Sequence, residues 1–167
     1  MDETSQIAAM LALRTPEQLL EFNEQLVPDA LELDTLESLR AIATIQQRNG
    51  ETGCHRYIIS NCRGAIDIAR VKALSHLVGW KAAQHTVDIA PLFETIDDLA
   101  RAGASMTNLY SFADYRAHVT RRSDRQTVML GFSDGTKDGG YLMANWAIYR
   151  AKEDLTAVSR AAGVEVA

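Results

Sequence analysis

The chain has 167 residues, enough for one domain with a sizeable core, and its 47% hydrophobic and 23% charged residues are typical of a globular protein. The formal net charge of −5 argues against a nucleic-acid partner, because phosphate binding needs clustered lysine and arginine. No apolar run predicts a membrane helix, and the N-terminus lacks the pattern of a signal peptide. Cys54 and Cys62 fit neither a disulfide framework nor a zinc site, which favours reduced thiols and a cytoplasmic location.

Residues 1–50 are predicted to form an N-terminal helical segment. The sequence TPEQ at Thr15–Gln18 has the cap and first-turn residues of a helix start. A second helix is predicted to open at Asp34 and to end at Asn49–Gly50. Its apolar face is formed by Leu36, Leu39, Ile42 and Ile45.

Residues 51–167 alternate between short apolar runs and helical patterns. The predicted strands are Tyr57–Ser60, Thr86–Phe93, Thr127–Phe132 and a last one beginning at Val164. The predicted helices cover 65–78, 95–120 with breaks at Gly103 and near Ser111, and 139–161. This order predicts an α/β fold with a parallel sheet, and an open doubly wound sheet and a barrel fragment fit it equally well.

Two carboxylates follow consecutive predicted strands. Glu94 comes directly after the second strand, and Asp134 comes shortly after the third. Working residues of parallel α/β folds lie at these strand ends, and neighbouring strands are about 4.8 Å apart. Both side chains would therefore reach one hard cation such as Mg²⁺ or Mn²⁺, which prefers oxygen ligands.

Plainer interpretations of these residues stay open. Glu94 also fits as the residue before a helix capped by Thr95, and Asp134 as a turn residue in a glycine-rich loop. The loop Gly135–Gly140 contains Lys137 and leads into a helix, which suits an anion, but it lacks the spacing of a P-loop. Trp146 and Tyr149 on the last helix are interpreted as core residues rather than as a cofactor platform.

Several ordered motifs resemble the phosphoenolpyruvate carboxylase family. Residues Pro91–Leu99 read PLFETIDDL, which is similar to the family's Leu-Phe-Glu-Thr strand end and the Asp-Asp-Leu that follows. Residues Gly131–Gly140 read GFSDGTKDGG, which resembles the family's Gly-Tyr-Ser-Asp-Ser-x-Lys-Asp-x-Gly. Phe132 and Gly135 depart from the usual tyrosine and serine, and this indicates a divergent branch. The resemblance covers roughly residues 40–166.

The resemblance implies a partial β/α barrel in which Glu94 and Asp134 bind Mg²⁺ or Mn²⁺ and Lys137 supplies positive charge near the substrates. It also implies the reaction, in which bicarbonate and phosphoenolpyruvate give oxaloacetate and phosphate. Family enzymes are typically homotetramers with an allosteric dicarboxylate site.

The family's catalytic histidine and its His-Gly-Arg-Gly-Gly segment are not among these residues, so the isolated chain is expected to be inactive. Two alternatives stay open, a metal- or anion-binding module without catalysis and another barrel lyase acting on phosphoenolpyruvate or pyruvate.

Overall fold

The computed structural model describes residues 2–13, 30–80 and 86–167. These residues form two compact units, one of Met1–Arg56 with Ala69–Val87 and the other of Tyr57–Ile68 with Asp88–Ala167. The described helices are α1 (Glu3–Ala12), α2 (Ala30–Asn49), α3 (Ala65–Leu77), α4 (Ile96–Ser111), α5 (Ala113–Arg121) and α6 (Ser133–Ala161). The described strands are β1 (Arg56–Ile59), β2 (Asp88–Phe93), β3 (Arg125–Gln126), β4 (Met129–Leu130) and β5 (Glu165–Val166).

The first unit contains α1 and α2. Asp2 caps α1 by accepting a hydrogen bond from the Ser5 amide at 2.8 Å. The start predicted at Thr15–Gln18 lies outside the described residues. The prediction that a helix opens at Asp34 is wrong, because α2 already includes Ala30–Leu33. Its predicted end is confirmed, since α2 stops at Asn49 and Gly50 adopts a φ of +79° that favours glycine.

The second unit is built on a sheet with the strand order β1-β2-β4. Strands β2 and β4 pair in parallel, with Leu92 opposite Met129 and Phe93 opposite Leu130. The predicted third strand over 127–132 is wrong in part. Its residues contribute only the short β4, while the preceding β3 pairs in parallel with β5 in a separate two-stranded sheet.

Helix α4 is continuous, so the break predicted at Gly103 is wrong. Gly103 is buried within α4, and a Cβ atom there would lie 3.1 Å from the Cβ of Asp154 in α6. A glycine in the middle of a helix is tolerated where it allows a close approach between two helices. The break predicted near Ser111 is confirmed, because Phe112 separates α4 from α5.

Helix α6 begins earlier than the sequence pattern indicates. The segment Gly135–Gly140 was expected to be a loop, but α6 runs from Ser133 and is interrupted by non-helical geometry only at Gly140, where φ is +78°. A short helical segment, Ser133–Gly139, therefore precedes the kink. Glycine accommodates the positive φ at the kink without the steric cost that a side chain would add.

The interpretation of Trp146 and Tyr149 as core residues is wrong. Their relative exposures are 57% and 52%, and their rings stack on one another with centroids 5.6 Å apart. They form part of an exposed set that we call the α6 aromatic surface, made of Phe132, Tyr141, Leu142, Trp146 and Tyr149. The buried residues of α6 are Gly135, Ala144, Ala151, Leu155 and Ser159.

The fold is thus a mixed α/β arrangement with parallel strands, as predicted. The partial barrel and the domain boundary at residue 50 stay predictions. No helix among the described residues is long and apolar enough to span a membrane.

Candidate metal and substrate site

Glu94 lies at the carboxyl end of β2, directly before the cap of α4. Its Oε2 accepts a hydrogen bond of 2.6 Å from the backbone amide of Asn61, at the end of β1. Asn61 has a φ of +51°, a conformation that asparagine tolerates better than most residues. The turn after β1 therefore holds one oxygen of the Glu94 side chain.

Asp134 stands in the first turn of α6, beyond the end of β4. Its Oδ1 accepts a hydrogen bond of 2.8 Å from Nζ of Lys137, one helical turn later. The pKa of Asp134 lies below its ordinary value, chiefly because of this hydrogen bond and the charge of Lys137. The same bond and the charge of Asp134 raise the pKa of Lys137. Both side chains are thus charged and paired near neutral pH.

Glu94 and Asp134, which we call the acidic pair, follow the ends of β2 and β4, which pair in parallel with Phe93 opposite Leu130. The backbone beside Asp134 lies close to Glu94, since a Cβ atom at Gly135 would be 3.4 Å from the carbonyl oxygen of Glu94. Carboxylate oxygens are ligands that a hard divalent cation prefers.

The donor chemistry of the acidic pair fits Mg²⁺ or Mn²⁺. Each residue has one oxygen committed to a protein donor, Asn61 for Glu94 and Lys137 for Asp134. Mg²⁺ keeps several waters and binds through one or two carboxylates with substrate oxygens. The described residues contain no group of three or more histidine, cysteine or acidic side chains placed to hold a metal. A cation held by the two carboxylates alone would take its remaining ligands from water and substrate.

Residues 93–96, which we call the β2–α4 junction, also contact the end of the short helical segment of α6. Oδ2 of Asp138 accepts a hydrogen bond of 3.0 Å from the backbone amide of Ile96. Two residues before the segment begins, the Gly131 amide donates to the carbonyl of Phe93 at 2.7 Å.

Sequence reasoning missed both Asn61 and Asp138 as residues that shape this site. A residue tolerant of positive φ directly after a strand is a local signal for the turn at Asn61. The hydrogen bond of Asp138 joins residues 42 positions apart, so no local sequence pattern predicts it.

Cys62 is not a candidate nucleophile although it is near the end of β1. The thiol is fully buried, and burial raises its pKa to about 11. Thiolate is the reactive form of cysteine, and very little of it exists near neutral pH at such a value.

Comparison with known proteins points to one family. The family model described as phosphoenolpyruvate carboxylase matches residues 1–167. The phosphoenolpyruvate carboxylase of Nitrosomonas eutropha is 43% identical over 135 residues, which cover 78% of this chain and 14% of the relative. The enzyme of the same name from Corynebacterium diphtheriae is 40% identical over 157 residues, covering 92% of this chain and 17% of the relative. For Mycobacterium avium the identity is 37% over 170 residues, with 96% and 17% covered. The chain therefore spans only a small part of the length of these relatives.

Proposed function

This chain belongs to the phosphoenolpyruvate carboxylase family, and from that premise we propose that it is a piece of an enzyme that converts phosphoenolpyruvate and bicarbonate into oxaloacetate and phosphate. The observation that carries the proposal is the family match over residues 1–167. The placement of Glu94 and Asp134 after two paired parallel strands supports it, because it offers a candidate chemical centre within the chain itself.

Glu94 and Asp134 are the proposed ligands of Mg²⁺ or Mn²⁺. Such an ion acts as a Lewis acid and template for phosphate and enolate oxygens. The Asn61 amide holds Oε2 of Glu94 and the ammonium group of Lys137 holds Oδ1 of Asp134, and we propose that the second oxygen of each carboxylate binds the ion. Preorganised groups of this kind need little rearrangement when charge develops on a substrate.

Lys137 is the proposed source of positive charge beside the anionic substrates. Its ammonium group bonds to Asp134 and is 74% exposed at the side chain. An ammonium group has three donors, so its bond with Asp134 leaves capacity for a phosphate or carboxylate oxygen. In this role Lys137 binds substrate and offsets its negative charge, without exchanging a proton.

The architecture proposed for the whole enzyme is a β/α barrel of which this chain forms consecutive units. The parallel pairing of β2 and β4 supports it, and so does the α6 aromatic surface, because large exposed apolar patches usually mark surfaces covered by other protein. The chain spans 14–17% of the three relatives described above, which leaves most of such an enzyme to provide that cover. We also propose that the whole enzyme is a cytoplasmic homotetramer and that its activity is carbon-fixing and anaplerotic.

The metal assignment is tested by titrating the chain with Mn²⁺ and following paramagnetic broadening of backbone amide signals. Broadening is expected at Asn61, Glu94 and Asp134, and it should be lost in Glu94→Gln and Asp134→Asn. The matched control is Asp97→Asn, which neutralises an exposed carboxylate on the first turn of α4. Broadening that persists in both pair variants would refute the assignment.

The reaction is tested in the longest native polypeptide that contains this segment. Oxaloacetate formation should require both phosphoenolpyruvate and bicarbonate. Asp134→Asn should lower kcat at least about 100-fold, since a Lewis-acid metal stabilises the transition state by several kcal/mol. Turnover of phosphoenolpyruvate that does not depend on bicarbonate would point instead to a different barrel lyase.

A further inference from the structure

We propose that Asp138 is a positioning residue that fixes the spacing of the acidic pair by fastening the short helical segment of α6 to the β2–α4 junction. The metal binding that this spacing would serve rests on the proposed function. The attachment of the helical segment to the junction does not require a metal. The central contact is the hydrogen bond of 3.0 Å from the Ile96 amide to Oδ2 of Asp138.

The bond joins the two chain segments that carry the carboxylates of the acidic pair. Ile96 follows Glu94 by two residues, and Asp138 follows Lys137 directly. A bond between these positions therefore ties the backbone that carries Glu94 to the backbone that carries Asp134 and Lys137.

The first turn of α4 needs an acceptor at this position. The opening amides of a helix have no partner within the helix, and a carboxylate near them is stabilised by the helix dipole. Thr95 and Asp98 satisfy one another's amides in a capping box. The capping box provides no acceptor for the Ile96 amide, and Asp138 accepts a hydrogen bond from it.

The residue after Asp138 packs closely against the side chain of Ile96. A Cβ atom at Gly139 would lie 2.9 Å from Cγ1 of Ile96 and 3.1 Å from Cγ of Met143. Two residues before the segment begins, the Gly131 amide bonds to the carbonyl of Phe93 at 2.7 Å. The segment bearing Asp134 and Lys137 thus lies between two contacts with one junction, and Asp138 provides the second through its side chain.

Three variants of the full 167-residue chain separate positioning from simple capping. Asp138→Ala removes the acceptor, and Asp138→Asn keeps an acceptor oxygen while removing the charge. Asp97→Ala removes an exposed carboxylate from the first turn of α4 and serves as the matched control for the helix dipole.

The readouts are Mn²⁺ affinity from amide broadening and the metal-free amide spectrum, with urea unfolding measured beside them. Asp138→Ala is expected to weaken Mn²⁺ binding about 10-fold, as loss of a group that orients metal ligands does. It should also shift the amide signals of Glu94 and of residues 134–137. Asp138→Asn and Asp97→Ala should retain the affinity and those signals of the unmodified chain.

Equal Mn²⁺ affinity in Asp138→Ala and Asp97→Ala would overturn the proposal. If Mn²⁺ does not broaden the amide signals of the unmodified chain, the proposed metal site is refuted. The attachment of the helical segment by Asp138 is then tested by the metal-free spectra. Shifts at Glu94 and residues 134–137 in Asp138→Ala alone support it. Signals there that match those of the Asp97→Ala control refute it.

Discussion

Gly131, Gly135 and Gly139 recur every four residues and all lie against the β2–α4 junction. A Cβ atom at Gly131 would be 3.0 Å from Cα of Glu94 and 3.3 Å from the carbonyl of Phe93, which are backbone atoms that cannot rotate away. At Gly135 the nearest atom, the carbonyl oxygen of Glu94, would be at 3.4 Å, an ordinary contact. The residue types at these positions therefore control how closely Asp134 approaches Glu94.

Alanine substitutions at Gly131 and Gly135 are expected to have opposite effects. Gly131→Ala should lower the free energy of unfolding by about 1–3 kcal/mol, since overpacking against fixed backbone forces a shift. Gly135→Ala should raise it by about 0.4–1 kcal/mol, because the position is helical and the unfolded chain loses freedom. Urea denaturation measures both. Equal stability of the two variants would mean that the close approach at Gly131 has no energetic consequence.

At the scale of elements, the N-terminus of α4 is held by a dense set of polar contacts. Oδ1 of Asp98 accepts from Arg101 at 2.7 Å, and Oδ2 accepts from the hydroxyl of Thr95 at 2.7 Å. Burial acts to raise the pKa of Asp98, but the hydrogen bonds from Thr95 and Arg101 outweigh it, so the pKa lies below its ordinary value. The ionised form of Asp98 therefore stabilises the folded state.

Asp98→Asn is predicted to destabilise the chain in a pH-dependent way. A lowered folded pKa gives stability that is present above the unfolded value of about 3.9 and is lost as the pH falls through the folded value. At pH 7 the variant should lose about 1.5–3 kcal/mol of unfolding free energy, the range for hydrogen bonds to a charged group.

Urea titrations at pH 7 and near pH 3 measure how the deficit of Asp98→Asn changes. The deficit should shrink at the lower pH, while the exposed Asp97→Asn shows little at either. A deficit of equal size at both pH values would show that the charge of Asp98 is not what stabilises α4.

Local signals in the sequence predicted some elements well and others poorly. The cap of α4 at Thr95 and the strand before it follow from neighbouring residues, so both are visible in the sequence. The prediction of a break at Gly103 was wrong because a close contact with Asp154, in α6, compensates for glycine's weak helix propensity. The helical start of α6 was missed because Gly135, Gly139 and Gly140 resemble a loop until their contacts are known.

At the scale of the whole chain, the sequence predicted parallel strands but not what surrounds them. Short apolar runs indicated the strands that Glu94 and Asp134 follow, and a metal ion shared by the two carboxylates stays a prediction. Trp146 and Tyr149 are exposed in this chain, and an apolar pattern on a helix does not show which of its residues are buried.

The isolated chain is predicted to be catalytically inactive. Its described site offers two carboxylates and one ammonium at an open edge, where the side chains of Asp134 and Lys137 are 49% and 74% exposed. Water screens charges in such a position, so they stabilise a transition state far less than they would in a closed site. Purified chain with phosphoenolpyruvate, bicarbonate and Mn²⁺ should therefore form oxaloacetate no faster than a protein-free blank in an assay coupled to NADH oxidation.

The Nitrosomonas eutropha enzyme, assayed in parallel, is the positive control for this measurement, since 14% of its length is matched by this chain. Bicarbonate-dependent oxaloacetate from the chain alone would contradict the prediction, provided that Asp134→Asn abolishes it and so excludes a contaminant. Such a result would mean that an exposed acidic pair and a single lysine are sufficient for turnover. A rate at the blank level in a chain that still binds Mn²⁺ would instead mean that ligand geometry and turnover are separable, with turnover requiring the enclosure that a longer protein provides.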